Sequence, residues 1–266
     1  MLILSGGLNS IFKIFFHTPR PFWIDSDVRA FASETSFGMP SGHSQNSAAI
    51  WGVIAGTIRR KWAYIVAILL VFFIGLSRIY LGVHFLHDVL TGWLAGILII
   101  LAYLKLEKPV AGWLERKSIS AQILISFLFA VSFIFFGYLA QLSAGNWKLP
   151  PEWTSLALTA GAEAPDPFNL EGVITIAGVA FGFTAGYAWW RNRYGIYEIK
   201  CSSIKKLARY TFGLLGIVAL YFGLSIIFPE EPLLVAAVFR FLRYTLIGLW
   251  VTVFAPLFFR LFHLDR

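Results

Sequence analysis

Hydrophobic and polar positions along the chain fall into long apolar runs divided by short charged turns. A helix that crosses a bilayer needs about 20 predominantly apolar residues, with some latitude. Runs of that order occupy residues 44–58, 62–83, 84–104, 121–142, 172–190, 210–228 and 234–259. A shorter apolar segment, residues 1–16, reads as the last part of one more span. The pattern predicts an all-α fold: a polytopic transmembrane helical bundle of about seven spans plus a partial N-terminal one. No soluble domain, low-complexity tract or repeat interrupts it.

The charges between the runs set an orientation. Basic residues gather in alternate turns: Arg59, Arg60 and Lys61; then Lys105, Lys108, Arg116 and Lys117; then Arg191, Arg193, Lys200, Lys205, Lys206 and Arg209. The intervening turns carry Glu152, Glu163, Asp166 and Glu171, and then Glu230 and Glu231. Because Lys and Arg are enriched in cytoplasmic loops, this alternation predicts a protein of the plasma (cytoplasmic) membrane. It places Arg20, His43 and Arg78 on the extracytoplasmic face.

Composition agrees with this. The chain is 58% hydrophobic and 14% charged, with mean hydropathy +0.72, which excludes a soluble domain of ordinary make-up. The net charge of +8 belongs to the cytoplasmic turns rather than to a basic binding face, so no nucleic-acid partner is expected. No protein partner can be inferred. The lone Cys201 allows no internal disulfide and no thiolate cluster. The N-terminus shows neither a cationic n-region nor a cleavage site.

Three polar clusters fall on the expected outer face. Lys13 and Arg20 flank His17-Thr18-Pro19 and precede Pro21; the prolines end a helix there. Read alone, the pair is a basic helix end at the membrane interface. Pro40-Ser41-Gly42-His43 opens the next run. It reads either as a simple N-cap or as a helix start whose free amides receive an anion. Ser77 to Asp88 carries Arg78, His84, His87 and Asp88 between two apolar runs. His84 and Asp88 are four apart and share a helix face, so the carboxylate can orient the imidazole. A metal site drawing on His84, His87 and Asp88 is an open reading of that segment, although His87 points away from the His84 direction on a helix. Taken together the clusters bring three cations, free amides and two histidines, a set suited to phosphoryl transfer.

In order and spacing, Lys13-x6-Arg20-Pro21, Pro40-Ser41-Gly42-His43 and Ser77-Arg78-x5-His84-x3-Asp88 resemble the three signature motifs of the type 2 phosphatidic acid phosphatases. These belong to a superfamily shared with vanadium haloperoxidases. The resemblance covers about the first 100 residues. It implies that Lys13, Arg20, Ser41, Gly42 and Arg78 bind phosphate, that His43 is the general acid, that His84 is the nucleophile and that Asp88 orients it. It implies a phosphohistidine intermediate, no cofactor and no metal. His17, His87 and Asp25 match no signature position. The expected organisation is a catalytic core over residues 1–104, lacking N-terminal spans usual in the family, and a C-terminal transmembrane region of about four helices over residues 105–266. Within the latter only Arg240 and Arg243 stand out. The expected activity is hydrolysis of the terminal phosphate of a lipid phosphate or diphosphate. Two other readings stand beside it: a non-enzymatic lipid- or anion-binding membrane protein or transporter, and a vanadate-dependent haloperoxidase.

Overall fold

A computed structural model describes residues 1–197, 201–229 and 231–264. Lys200 and Glu230, which entered the charge pattern, lie outside them. Every regular element among the described residues is helical. In chain order these are α1 (Leu2–Phe16), α2 (Pro21–Ile24), α3 (Gly42–Ile58), α4 (Lys61–Tyr80), α5 (Leu86–Glu115), α6 (Ile119–Ser143), α7 (Pro151–Thr159), α8 (Glu171–Tyr194), α9 (Ser203–Ile227), α10 (Leu233–Leu249) and α11 (Ala255–Leu261). A π-helical turn, Trp250–Phe254, joins the last two.

Six segments are long and apolar enough to cross a membrane: α4, α5, α6, α8, α9 and the continuous run Leu233–Leu261. The run at residues 44–58, expected as a span, is the body of α3 and is not among them. Its 17 residues bury Ser44, Gln45 and Ser47 instead of presenting an apolar circumference. A helix with that face belongs against protein.

The chain forms two compact units: Met1–Ala111 with Phe135–Leu170, and Gly112–Ile134 with Glu171–Arg266. In the first unit α3 packs on α1 and α4. It also lies close against α5, where small residues face main chain: a Cβ on Gly92 would sit 2.6 Å from the Ser41 carbonyl oxygen, and one on Gly96 2.6 Å from that of Gln45. Such contact lets helix backbones approach without a side chain between them. α1 ends at His17 in the left-handed region, φ 53°, and Pro21 opens α2, where its fixed φ and missing N–H are harmless.

An aromatic core closes this unit on the expected outer side. Phe22, Trp23, Phe37 and Val83 are fully buried with Ala157 of α7, and Trp147, Trp153 and Phe168 pack around them. Burying each large ring contributes roughly 2–3 kcal/mol. The stretch between α6 and α8 is therefore more than an acidic turn. It folds back onto residues 33–35: the Glu163 N–H donates to Ser33 Oγ at 2.9 Å, and the Asp166 N–H to the Thr35 carbonyl at 3.0 Å.

In the second unit α8 and α10 form the principal seam. Gly178, Gly182 and Gly186 recur every fourth residue of α8, and a Cβ on Gly178 would lie 2.6 Å from the Phe241 carbonyl oxygen. Gly248 of α10 meets the Phe183 main chain in return. α9 packs on α10 and α11 but buries none of its residues within the protein, leaving a broad apolar surface suited to lipid. Trp250 donates its indole N–H to the Gly213 carbonyl at 2.9 Å, and Arg191 pairs with Glu115 at 2.7 Å.

Candidate active site

The loop after α1 brings Arg20 into the interior, fully buried. Its Nε donates to the Ser36 carbonyl at 2.6 Å and its Nη1 to the Val83 carbonyl at 2.9 Å. Nη2 reaches Ser36 Oγ at 3.1 Å and the Phe37 carbonyl at 3.2 Å. Lys13, from the last turn of α1, joins the same loop: Nζ donates to Ser36 Oγ and to the Phe37 carbonyl, both at 2.9 Å. Three main-chain carbonyls and one hydroxyl thus fix the two cations that the motif resemblance marked as phosphate-binding.

His84 and Asp88 sit between α4 and the first turn of α5, both buried. His84 Nδ1 lies 3.2 Å from Asp88 Oδ2, and the Phe85 N–H donates to that same oxygen at 3.0 Å. A carboxylate only accepts, so Nδ1 carries the proton and Nε2 keeps its lone pair. Nε2 faces Arg20, whose Nη1 is 3.4 Å away. Burial holds the imidazole well below the usual histidine range, at about 4. The Asp88 hydrogen bond opposes this, and the charges of Arg20 and Lys13 reinforce it. The ring is therefore neutral at neutral pH, the state in which an imidazole nitrogen is nucleophilic.

Arg78, from the last turn of α4, is buried and donates from Nη2 to Glu34 Oε1 at 2.9 Å. The other Glu34 oxygen accepts from Arg20 Nη2 at 3.3 Å. One carboxylate thus bridges both guanidiniums. Burial alone pushes the Glu34 carboxyl upward, but Arg20, Lys13, Arg78 and His84 outweigh it and hold the group below its ordinary value. Glu34 was not singled out in the sequence. The available signal was that no other carboxylate occurs between Asp27 and Asp88.

Ser41 caps α3, its Oγ accepting from the Ser44 N–H at 3.4 Å. The Ser41 N–H donates to the Asp88 carbonyl at 2.9 Å, which stitches the Ser41–Gly42–His43 turn onto α5. Gly42 has no room for a side chain, since a Cβ would meet Asn9 Oδ1 at 2.9 Å. His43 is exposed. Its imidazole is shifted downward by partial burial and by Arg78, Lys13 and Arg20, with Glu34 opposing, so it lies within the field of the same cations. Behind the turn runs a buried polar chain that the sequence did not reveal. Asn9 Nδ2 donates to the Pro40 carbonyl at 3.1 Å and to Gln45 Oε1 at 2.9 Å, and Gln45 Nε2 donates to the Ser5 carbonyl at 2.7 Å.

Of the three residues left without a role, His87 puts Nε2 3.1 Å from Asp88 Oδ1 while its side chain stays 57% exposed. The contact lacks hydrogen-bond geometry, since Oδ1 has no partner of that kind. His17 packs against Phe37, Trp147 and Phe168. Asp25 Oδ1 accepts from the Asp27 N–H in a local turn. Among the described residues no three His, Cys, Asp or Glu side chains form a grouping able to hold a metal ion.

Residues 1–110 match the PAP2 superfamily model, and residues 174–266 match the PAP2 superfamily phosphatase, transmembrane extension. The chain belongs to the PAP2 superfamily. It is 38% identical over 111 residues to phosphatidylglycerophosphatase B of Bacillus subtilis (strain 168), covering 37% of this chain and 52% of that protein. To glucose-6-phosphatase 3 of Rattus norvegicus it is 33% identical over 120 residues, 36% of this chain and 35% of that one. To glucose-6-phosphatase 3 of Homo sapiens it is 30% identical over 149 residues, 47% and 40%. The chain thus spans about half or less of the length of these relatives. No solved structure matches it significantly. As a PAP2 superfamily chain with a transmembrane extension and six apolar helices of spanning length, it is membrane-integral.

Proposed function

We propose that this PAP2 superfamily protein is a membrane-embedded phosphatase that removes the terminal phosphate of a lipid phosphate or diphosphate through a phosphohistidine. The observation that carries the reading is the His84 imidazole, buried, neutral, backed by Asp88 and facing Arg20. In the reaction the His84 Nε2 lone pair forms a bond to phosphorus while the bond to the leaving oxygen breaks, and His43 in its protonated form gives that oxygen a proton. Arg20, Arg78 and Lys13, with the amides around Ser41 and Gly42, bear the charge that spreads over the equatorial oxygens. Neutral His43 then takes a proton from water, the water oxygen bonds to phosphorus, the N–P bond breaks and inorganic phosphate leaves. Asp88 stabilises the Nδ1–H throughout. Each phosphate-facing cation is a Lys or Arg, so the scheme needs no metal or cofactor.

A lipid substrate is supported by the membrane setting and by the similarity to a protein named phosphatidylglycerophosphatase B. The expected extracytoplasmic placement of the site stands on the charge alternation. Similarity to proteins named glucose-6-phosphatase favours a second reading, a water-soluble sugar phosphate. Phosphate release from a phosphatidyl phosphomonoester and from a hexose phosphate, each with a chelator present, separates the two. Chelator-resistant turnover of the lipid at higher kcat/KM is expected. Preference for the sugar phosphate shifts the conclusion to the second reading, and turnover abolished by chelator sinks the metal-free scheme. Binding of lipid without turnover of either substrate points to a non-enzyme.

A further inference from the structure

The second unit contains a polar cavity of about 480 Å³, lined by no histidine among the described residues and bounded by the end of α9, the first turns of α10 and the start of α8. Ser225 and Phe228 line it on the α9 side, and Phe239, Arg240 and Arg243 on α10. Glu171, Glu231, Pro229 and Ala236 complete the wall. The two arginines differ. Arg240 Nη2 is paired with Glu171 Oε2 at 2.5 Å. Arg243 has no ion pair among the described residues; its Nε is buried without a hydrogen-bond partner. Its guanidinium lies 5.6 Å from the Tyr221 ring centroid and 5.2 Å from that of Tyr244. Two aromatic faces thus hold a cation in place without neutralising it.

Depth gives the cavity a polarity. Arg243 lies ten residues into α10, about 15 Å along the helix from its start, and its side chain leans back toward the mouth. Glu231 is exposed just ahead of the helix and forms no ion pair among the described residues. An uncompensated guanidinium inside a membrane helix is expensive and recruits an anion. An anion alone would leave the carboxylate at the mouth unsatisfied and be repelled by it. A group with a phosphate on the inner side and a donor cation on the water side answers both ends.

We propose that this cavity binds the headgroup of an aminophospholipid, with its phosphodiester against Arg243 and its primary ammonium toward Glu231. The site binds and does not react, because no histidine lines it. A trimethylated ammonium has no N–H for Glu231, and a glycerol headgroup has no cation, so both fit less well.

The test uses the full chain in phosphatidylcholine nanodiscs doped with either phosphatidylethanolamine or phosphatidylglycerol, with retained lipid read by native mass spectrometry. Phosphatidylethanolamine is expected to be retained about tenfold over phosphatidylcholine, the equivalent of about 1.4 kcal/mol. Arg243→Gln and Glu231→Gln should each abolish that preference, as should Ala236→Trp, which fills the cavity without altering a charge. Equal or better retention of phosphatidylglycerol overturns the proposal. So does displacement of the lipid by inorganic phosphate or free phosphorylethanolamine at concentrations matching the lipid, since the source is then soluble. Should Arg243→Gln fail to fold, Glu231→Gln at the exposed mouth decides: an undiminished preference overturns the proposal.

Discussion

The α3–α5 seam of the first unit and the α8–α10 seam of the second use one packing device for different ends. In each, glycines four apart on one helix lie against the main chain of another: Gly92 and Gly96 in the first, Gly178 and Gly182 in the second. In the first unit the closest approach falls where α3 begins. It therefore brings the capping turn at Ser41, which carries His43, to the backbone of Asp88, at 2.9 Å, and so ties that turn to the partner of the proposed nucleophile. In the second unit the contact lies mid-helix, against the main chain of Phe241 and Thr245 and the Cβ of Tyr244, with no helix end at the touching points. Close packing becomes chemistry only where a helix end, with its free N–H groups, lies at the seam.

Substitutions placed in each unit test this contrast. The largest effect is expected for His84→Ala, which should reduce phosphate release at least about a thousand-fold. Arg240→Gln in the second unit should leave it within about twofold. Comparable losses in both variants would erase the division of labour. Asp88→Asn preserves shape but removes the negative charge and puts an amide NH2 in place of one oxygen, so the Nδ1–H tautomer is no longer fixed. A fall in kcat of about a hundred- to a thousand-fold with little change in KM is expected, and a KM effect alone would assign Asp88 to binding.

The two seams can be compared directly with Gly92→Ala and Gly182→Ala, which insert the same methyl group. Each should destabilise by about 1–3 kcal/mol in thermal or denaturant unfolding. Per folded molecule, Gly92→Ala should also lower kcat about tenfold by displacing the Ser41 turn, whereas Gly182→Ala should not. Equal kcat in the two variants would detach the seam from the chemistry.

In the first unit, pH should matter through both histidines. In the proposed reaction His84 attacks as the neutral ring, and with its pKa near 4 kcat/KM should fall about tenfold per pH unit below that value. His43 must be protonated to donate, and its downward shift sets the alkaline limb below the ordinary histidine range. The expected profile is a bell with its optimum on the acid side of neutral; a flat profile from acid to mildly alkaline pH would remove the histidine assignments. Stability follows the same sign. With the folded pKa of His84 below its unfolded value of about 6.5, the contribution from the neutral ring is complete above about 6.5 and is lost as pH falls toward 4. The smallest effect is expected for Glu34→Gln, which frees both guanidiniums for an anion: inhibition by inorganic phosphate should tighten a few-fold, and weaker inhibition would mean that Glu34 orders the arginines rather than competing for them.

How much of this was legible in the chain depended on whether a feature was local. Hydrophobic run lengths marked the six long helices, and the i, i+4 spacing marked His84 and Asp88 as partners, although His84 lies in the turn ahead of α5 and not on its face. Lys13, Arg20, Ser41 and Arg78 were legible as motif positions, but not the loop carbonyls of Ser36, Phe37 and Val83 that hold two of them. Glu34 stayed hidden because its partners are 14 and 44 residues away and nothing in its immediate neighbourhood marks it. The Asn9–Gln45–Ser5 chain was hidden for the same reason. It also explains α3, which was expected as a span at residues 44–58 and instead buries a polar face against protein. The Trp153 contacts were unreadable because nine-residue α7 is too short to show a periodic face, and Trp147 lies outside any helix.

The two backbone bonds from Glu163 and Asp166 to Ser33 and Thr35 straddle Glu34 in sequence. The carboxylate that occupies the arginines is thereby tethered to a connection some 130 residues downstream, outside every motif. Lengthening, cutting or recomposing that connection would retune how readily the arginines exchange one anion for another while the reacting atoms stayed untouched. Under the proposed reaction, affinity and chemistry would thus be separately adjustable, one through the connection between α6 and α8 and the other through the His84–Asp88 pair.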